Sequence, residues 1–490
     1  MTGILASGAY VPRRRLQRSE IARATAWFNP ALAALGRGER AMANWDEDTI
    51  TMAVEACRDC VAGRDRTDVA RVLLASTSLP FADRQNAGVI KEALGLSDDI
   101  GVLDVTGSQR AGTSALMAAL EGADRVGPML CVAAERRLAR SASAAEFANG
   151  DAAAALLVGP GAGIAELLCT HSTTADFVDH FRAADRAHDY EWESRWIRDE
   201  GYARLLPAAI GDALRKAGIE AVGVDQLALG LPLSGGERSV AKAAGIRPEA
   251  LVEPLDGNLG YAGTAQPLLL LDRALARAAP GQIIVVVAFG QGVDVLIFKT
   301  TDAIEAARPA LGVEGWLARR KPEHSYVKYL YFTQQLLLEE GMRAELDLKT
   351  PPSMLYRDRQ TILGLVGGKC RVTGAVQYPK SAITVAPDAR LVDTQDDYPL
   401  ADLPARLVTV TADRLAHSPD PPSCYGVIDF EGGGRMLADI VDVEEDSLRV
   451  GAPLRMMFRL KRRDPRGFRH YFWKAVPDYR PSGAGENGNG

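Results

Sequence analysis

Cysteine is sparse and scattered: six in 490 residues, at 57, 60, 131, 169, 370 and 424. That pattern excludes a disulfide-stapled secreted scaffold. Cys57 and Cys60 do form a C-x-x-C, but inside the helical stretch 48–62, with no strand before it and no second pair. A packed helix face is the expectation there, not a redox or metal site. No apolar run approaches the ~20 residues that span a bilayer. The apolar stretch at the N-terminus is too short for a signal peptide, and its arginines follow it instead of preceding it. A cytoplasmic location and no membrane partner are expected. Excess positive charge is missing too: 57 Lys and Arg against 63 Asp and Glu leave a net charge of -6. A general binder of nucleic acid or anionic membrane is excluded, though a local basic patch is not.

What is present is the balance of an ordinary soluble globular protein, 47% apolar and 24% charged. The length calls for two or three domains. Strands alternate with helices over the first 300 residues: Val72–Ser76, Met129–Ala134, Gln226–Leu231 and the β-branched run Ile283–Phe289, with helices at 48–62, 87–94, 203–217 and 267–278. This implies an α/β layered fold with buried sheets. Two similar halves, 1–160 and 161–300, suggest an internal duplication. A connector with a helix over Tyr326–Glu340 fills 301–345, and Pro351-Pro352 is expected to break it. From Cys370 onward short strands and turns predict a small β-barrel within 346–480. The tail 481–490 is read as disordered.

The stretch Leu103–Leu116 organises the first part. It reads as a short strand, a Gly-Ser turn and an alanine-rich helix, which places one side chain at a helix N-terminus where free N–H groups stabilise negative charge. Enzymes put a Cys or Ser nucleophile in such a turn. Here the residue is Gln109. An amide cannot form an acyl-enzyme.

Several motifs then add up. Gly8-Ala9-Tyr10-Val11-Pro12, Glu47–Ala53, Asp151–Ala155 and Gly290-Gln291-Gly292 fall in order along 300 residues. Together they make residues 1–300 resemble the thiolase superfamily, in its hydroxymethylglutaryl-CoA synthase and ketoacyl synthase III branch. The segment 176–196 looks like the loop-and-helix insertion of synthases in that branch. Residues 346–477 resemble the OB-fold domain that accompanies acyl-CoA thiolases, on the pieces Pro351–Tyr356, Ser418–Pro422 and Phe430–Arg435. The resemblance implies a duplicated αβαβα fold, a helical segment and an OB-fold barrel.

It also implies catalytic residues, and most are absent. The family's nucleophilic Cys falls at Gln109, its His near Gly230-Leu231-Pro232 and its Glu near Thr77. Only Asn258 stands where the pattern expects it, and a carboxamide there can support an oxyanion. The zinc ribbon usual in the second domain would use positions 370, 373, 384 and 389. Only Cys370 remains, and a structural zinc site needs four ligands, so no metal is expected. His171, His180 and His188 are the only histidines of the first domain that could replace the missing base; for His180 a salt-bridged surface residue is the simpler reading. Tyr261 stands close to Asn258 as an acid, or simply packs.

In the barrel, Arg459, Arg462 and Trp473 lie among other basic and aromatic residues. Such a surface suits single-stranded nucleic acid or the phosphates and adenine of CoA, and the accompanying thiolase-like domain favours CoA. The expectation is thus a protein acting on acyl-CoA in carbon–carbon bond formation or cleavage through Gln109 and Asn258, without a cofactor. It would work as a homodimer or with a thiolase-type subunit. The alternatives are a non-catalytic acyl-CoA-binding scaffold and, last, an OB-fold nucleic-acid binder.

Overall fold

The apolar runs of the first 300 residues become one sheet. In the computed structural model, which describes residues 1–233, 235–306, 311–345, 349–444 and 448–478, nine strands join in a single layer. They are β1 (Thr2–Tyr10), β2 (Arg71–Ala75), β3 (Gly101–Val105), β4 (Met129–Glu135), β5 (Ala152–Pro160), β6 (Ala165–Thr174), β7 (Gln226–Leu229), β8 (Ile283–Phe289) and β9 (Gly292–Thr300). Their order is β7-β8-β9-β6-β1-β5-β4-β2-β3. The duplication read from the sequence is visible in that order. Outward from the centre, β1, β5, β4 and β2 repeat as β6, β9, β8 and β7, with the same antiparallel and parallel pairings. Edge strand β3 has only a vestige in the second half, the parallel bridge between Leu227 and Leu251. The turn carrying Gln109 and the turn carrying Asn258 are therefore counterparts, each following the outermost strand of its half.

Among the helices that pack on the sheet are α1 (Thr49–Cys60), α2 (Ala111–Val126), α3 (Leu206–Ala217) and α4 (Gln266–Arg277). Asp48 starts α1 with a capping box, its carboxylate accepting from Ile50 and Thr51 N–H while Thr51 Oγ1 accepts from Asp48 N–H. Every residue of α1 is buried, so Cys57 and Cys60 line a packed helix as expected, their thiols pushed up by burial. Helix α4 buries Leu268, Leu269, Leu270 and Leu271 completely. At roughly 1.5–3 kcal/mol per buried leucine, that run is a main attachment of the second half. The connector helix is shorter than expected. It covers Tyr326–Phe332 and stops where Gln334 takes a φ of 60°. Among the described residues no helix is long and apolar enough to cross a membrane.

One carboxylate in α4 gives a pH-dependent stability. Asp272 is fully buried, and its Oδ2 accepts from Val313 N–H at 2.9 Å. Burial pushes its pKa up to about 7. The folded state then holds a proton that the unfolded state has released, so stability falls as pH rises from about 4 to about 7. Asp272→Asn keeps the acceptor for Val313 and removes the charge. We expect the variant to lose that slope and to be more stable by about 2 kcal/mol at pH 8, measured by urea denaturation between pH 4.5 and 8. An unchanged slope would refute the assignment.

The chain divides into two compact units, residues 1–91 with 96–336, and residues 92–95 with 337–490. In the second, Pro352 opens a helix, Pro352–Arg357, at its first position instead of breaking one, because its fixed φ suits a helix start. A three-stranded sheet of Val366–Cys370, Val376–Gln377 and Gln395–Pro399 follows. The barrel consists of β10 (Ala405–Leu407), β11 (Thr411–Asp413), β12 (Ser423–Phe430), β13 (Arg435–Ile440), β14 (Pro453–Arg463) and β15 (Arg469–Pro477). The order β10-β14-β15-β13-β12 is closed by a β10–β12 pairing, with β11 flanking β12. This is the expected OB-type barrel. The tail read as disordered lies outside the described residues.

Candidate functional site

The site is built at the turn between β3 and α2. Gly107 takes a φ of 94°, a conformation that favours glycine, and sends the chain through Ser108 and Gln109 into the helix. The end of β8 holds the turn in place. Ser108 Oγ and Arg110 Nε both donate to Gly290 O, at 2.8 and 2.9 Å. Arg110 also pairs with the buried Asp294 of β9 at 2.8 Å, and that carboxylate accepts further from Thr113, Ser114 and Ser172 hydroxyls. On the helix's first turn, Gly112 lets the backbone of Thr264 approach. A Cβ at position 112 would lie 2.2 Å from Thr264 O.

Gln109 is only 5% exposed. Its Nε2 donates to Thr77 Oγ1 at 3.2 Å, while its Oε1 is buried without a hydrogen-bond partner. Behind Thr77 lies a carboxylate that reasoning from sequence missed, Glu135, the last residue of β4 and fully buried. Its Oε2 accepts from Thr77 N–H (3.2 Å), Thr77 Oγ1 (3.1 Å), Thr264 Oγ1 (3.0 Å) and Thr264 N–H (3.4 Å). Its Oε1 accepts from Ser76 Oγ at 3.1 Å and from Ser78 Oγ. Gln109 and Glu135 converge on Gly263, whose hypothetical Cβ would sit 2.6 Å from Gln109 Oε1 and 3.0 Å from Glu135 Oε2. The position that resembled the family's acidic residue, Thr77, is thus within hydrogen-bonding distance of a carboxylate delivered from the neighbouring strand.

Asn258 is not joined to this cluster. It lies in the turn ahead of the short Gly263–Ala265 helix, its N–H donating to Leu255 O and its Oδ1 buried without a partner. No hydrogen bond connects it to Gln109. Tyr261 is buried, and burial raises its pKa while Arg137 lowers it. Packing, the simpler of its two readings, describes it. His180 pairs with Asp179, Nδ1 to Oδ2 at 3.0 Å, as the salt-bridge reading expected. Its hairpin (residues 179–192) lies against the site: Arg182 donates to Thr77 O, and Asp189 is held between Arg182 and Arg137 at 2.9 and 2.7 Å.

In the barrel, two of the three residues expected to meet CoA are buried. Arg459 is 1% exposed and pairs with Asp442 at 2.6 Å. Trp473 is equally buried, its Nε1 donating to Leu363 O at 2.7 Å. They lie on opposite faces of the β14–β15 pair, Trp473 opposite Phe458 and Arg459 opposite Phe472, and both faces are covered there, so neither side chain is open to phosphate or adenine. Arg462 is half-buried and donates to Thr350 Oγ1 at 3.0 Å. Cys370 has Thr394 Oγ1 at 3.2 Å, not Thr384 or Ala389, and hydrogen bonds from Thr373 and Thr394 draw its thiol down to about 6. Among the described residues no three His, Cys, Asp or Glu side chains gather as a metal site.

Comparison with known proteins separates the two parts. The family model for the ChsH2 C-terminal OB-fold domain matches residues 399–459. The hydroxymethylglutaryl-CoA synthase of Aeropyrum pernix is 31% identical over 350 residues, covering 69% of this chain and 96% of that protein. Among solved structures, MvaS in complex with 3-hydroxy-3-methylglutaryl coenzyme A superposes with a TM-score of 0.57 at 20% identity, over 69% of this chain and 93% of that one. The 3-oxoacyl-[acyl-carrier-protein] synthase III of Aquifex aeolicus gives 0.54 at 17% identity, over 61% of this chain and all of that one.

Proposed function

We propose, from the premise that this chain belongs to the hydroxymethylglutaryl-CoA synthase family, that it acts on acyl-CoA thioesters in carbon–carbon bond formation or cleavage without passing through an acyl-enzyme. One observation carries the reading. The side chain at the head of α2 is an amide, fixed on Thr77 and almost wholly buried. An amide cannot accept an acyl group, so only non-covalent chemistry on the thioester is open to it. The ligand class is supported by the solved relative that holds 3-hydroxy-3-methylglutaryl coenzyme A. Assembly as a homodimer, or with a thiolase-type subunit, is part of the proposal. Strand β3 lies at the edge of the sheet with Leu103 47% exposed, which supports pairing there.

A second reading is favoured by a different observation. Both oxygens of Glu135 are taken up by the protein's own donors. A carboxylate so surrounded has its oxygens turned to the protein and not to a substrate, which suits a subunit that binds acyl-CoA and leaves chemistry to a partner. Intact-mass spectrometry of the full chain after incubation with acetyl-CoA, alongside calorimetry with CoA, tests the proposal. The expected result is binding with no acetyl adduct. A stable adduct on Cys57, Cys60, Cys131 or Cys169 would overturn it, and turnover of an acyl-CoA by the chain alone would remove the second reading.

A further inference from the structure

We infer that Glu135 is a positioning residue that acts through Thr77 to fix which end of the Gln109 amide meets a ligand, so that the site takes an acyl thioester carrying a hydrogen-bond donor. The inference rests on the acyl-CoA reading above and adds a rule of selection to it.

The argument is one of hydrogen-bond direction. Thr77 and Thr264 N–H can only donate, and both point at Glu135 Oε2, which must therefore accept. On the other oxygen, Ser76 Oγ already accepts from Ser78 N–H at 2.9 Å, and Ser78 Oγ from Arg136 N–H at 2.8 Å. Each can turn its own proton to Glu135 Oε1. Every neighbour is thus arranged to donate, and the carboxylate accepts on both sides. Thr77 has one hydroxyl proton, and it goes to Glu135 at 3.1 Å. The lone pairs left on Thr77 Oγ1 can only accept, so the group of Gln109 that faces it must be the NH2, as found at 3.2 Å. The carbonyl oxygen is what remains, and it is the buried acceptor without a partner. Leaving such an acceptor unpaired is costly, and a ligand donor relieves the cost.

An O–H or N–H on the acyl group satisfies Gln109 Oε1. A bare thioester carbonyl, itself an acceptor, does not. Removing the acceptor at 135 loosens the rule, because the Thr77 hydroxyl proton is then released from it. With alanine at 135, Thr77 can donate to Gln109 Oε1 and the Gln109 NH2 can turn to the ligand, whereas an amide at 135 keeps its oxygen on the Thr77 and Thr264 N–H groups and leaves the Thr77 hydroxyl proton where it was.

The test is calorimetric binding of 3-hydroxybutyryl-CoA and butyryl-CoA to the full-length protein. Wild type is expected to bind the hydroxylated ester about tenfold more tightly. Thr77→Ser, which keeps the relaying hydroxyl, should preserve that ratio. Glu135→Gln, which keeps the acceptor oxygen, should preserve it too, while Thr77→Val and Glu135→Ala should each bring it to within about twofold; the valine variant, nearly the same shape, guards against a folding defect at the buried glutamate. Equal affinities in wild type, or a ratio that survives either Thr77→Val or Glu135→Ala, would sink this inference and leave the acyl-CoA reading standing. Binding of neither ester would overturn the acyl-CoA reading itself, and this one with it.

Discussion

Asp294→Ala is expected to cost about 4 kcal/mol of stability, as large an effect as any single change in the first unit should have. Asp294 is 1% exposed and answers four side chains: Arg110 at 2.8 Å, Thr113 at 3.0 Å, Ser114 at 2.8 Å and Ser172 at 2.7 Å. Removing it strands the Arg110 guanidinium, whose side chain is only 13% exposed. Breaking a buried pair by deleting one partner costs 3–5 kcal/mol because the other charge stays buried and unmatched. Arg110 keeps its bonds to Gly290 and Gln291 carbonyls, which holds the loss below the sum of its contacts. Asp294→Asn keeps four-way geometry without the charge, and about 2 kcal/mol is the expected loss. Urea denaturation of both variants, with the slope against denaturant unchanged, is the measurement. A loss under about 1 kcal/mol for Asp294→Ala would mean that water replaces the carboxylate. Because Arg110 adjoins Gln109, the variant should also loosen the turn that the site is built on.

How much of this was legible beforehand follows from which interactions are local. The strand–turn–helix around Gln109 could be read because Gly107, the apolar strand and the alanine-rich helix lie within fourteen residues of one another in the printed sequence. The duplication was legible for the same reason, as a repeated alternation. The pairing order of the sheet was not; Leu251, a single bridged residue, stands in for a whole strand of the first half. Glu135 was missed because its meaning is entirely non-local. By sequence it is one polar residue after an apolar run that seemed to end at Ala134, and nothing near it hints that Thr77 and Thr264 will surround it. A charged residue closing a wholly buried strand was the available signal. In the barrel the error ran the other way. Arg459 and Trp473 were read as surface because basic and aromatic residues crowd that stretch, but β14 is covered on both faces over Met456–Leu460, so a side chain there is buried whichever way the pleat turns it. Arg459 could be buried only because Asp442 lies within reach to pair with it.

Glu135→Ala is expected to cost about 3–5 kcal/mol, and the reason bears on what the site is for. The substitution leaves two kinds of donor behind. The hydroxyls of Ser76, Thr77, Ser78 and Thr264 can rotate toward one another; Ser76 and Ser78 already lie 3.3 Å apart. The N–H groups of Thr77 and Thr264 cannot, since the backbone fixes them. Those two stranded donors, at 1–3 kcal/mol each, make most of the loss, and the cavity left by the side chain adds to it. Glu135→Gln keeps an acceptor oxygen for the N–H pair and should cost only about 1–2 kcal/mol. The double change Glu135→Ala with Thr264→Val should then cost less than the sum of the single changes, because it removes a donor together with the acceptor it served. Chemical denaturation of these variants and of Thr264→Val alone decides the matter. Strict additivity would mean that Glu135 and Thr264 are not energetically joined. A Glu135→Gln variant more stable than wild type would instead show that the buried charge is held at the expense of folding.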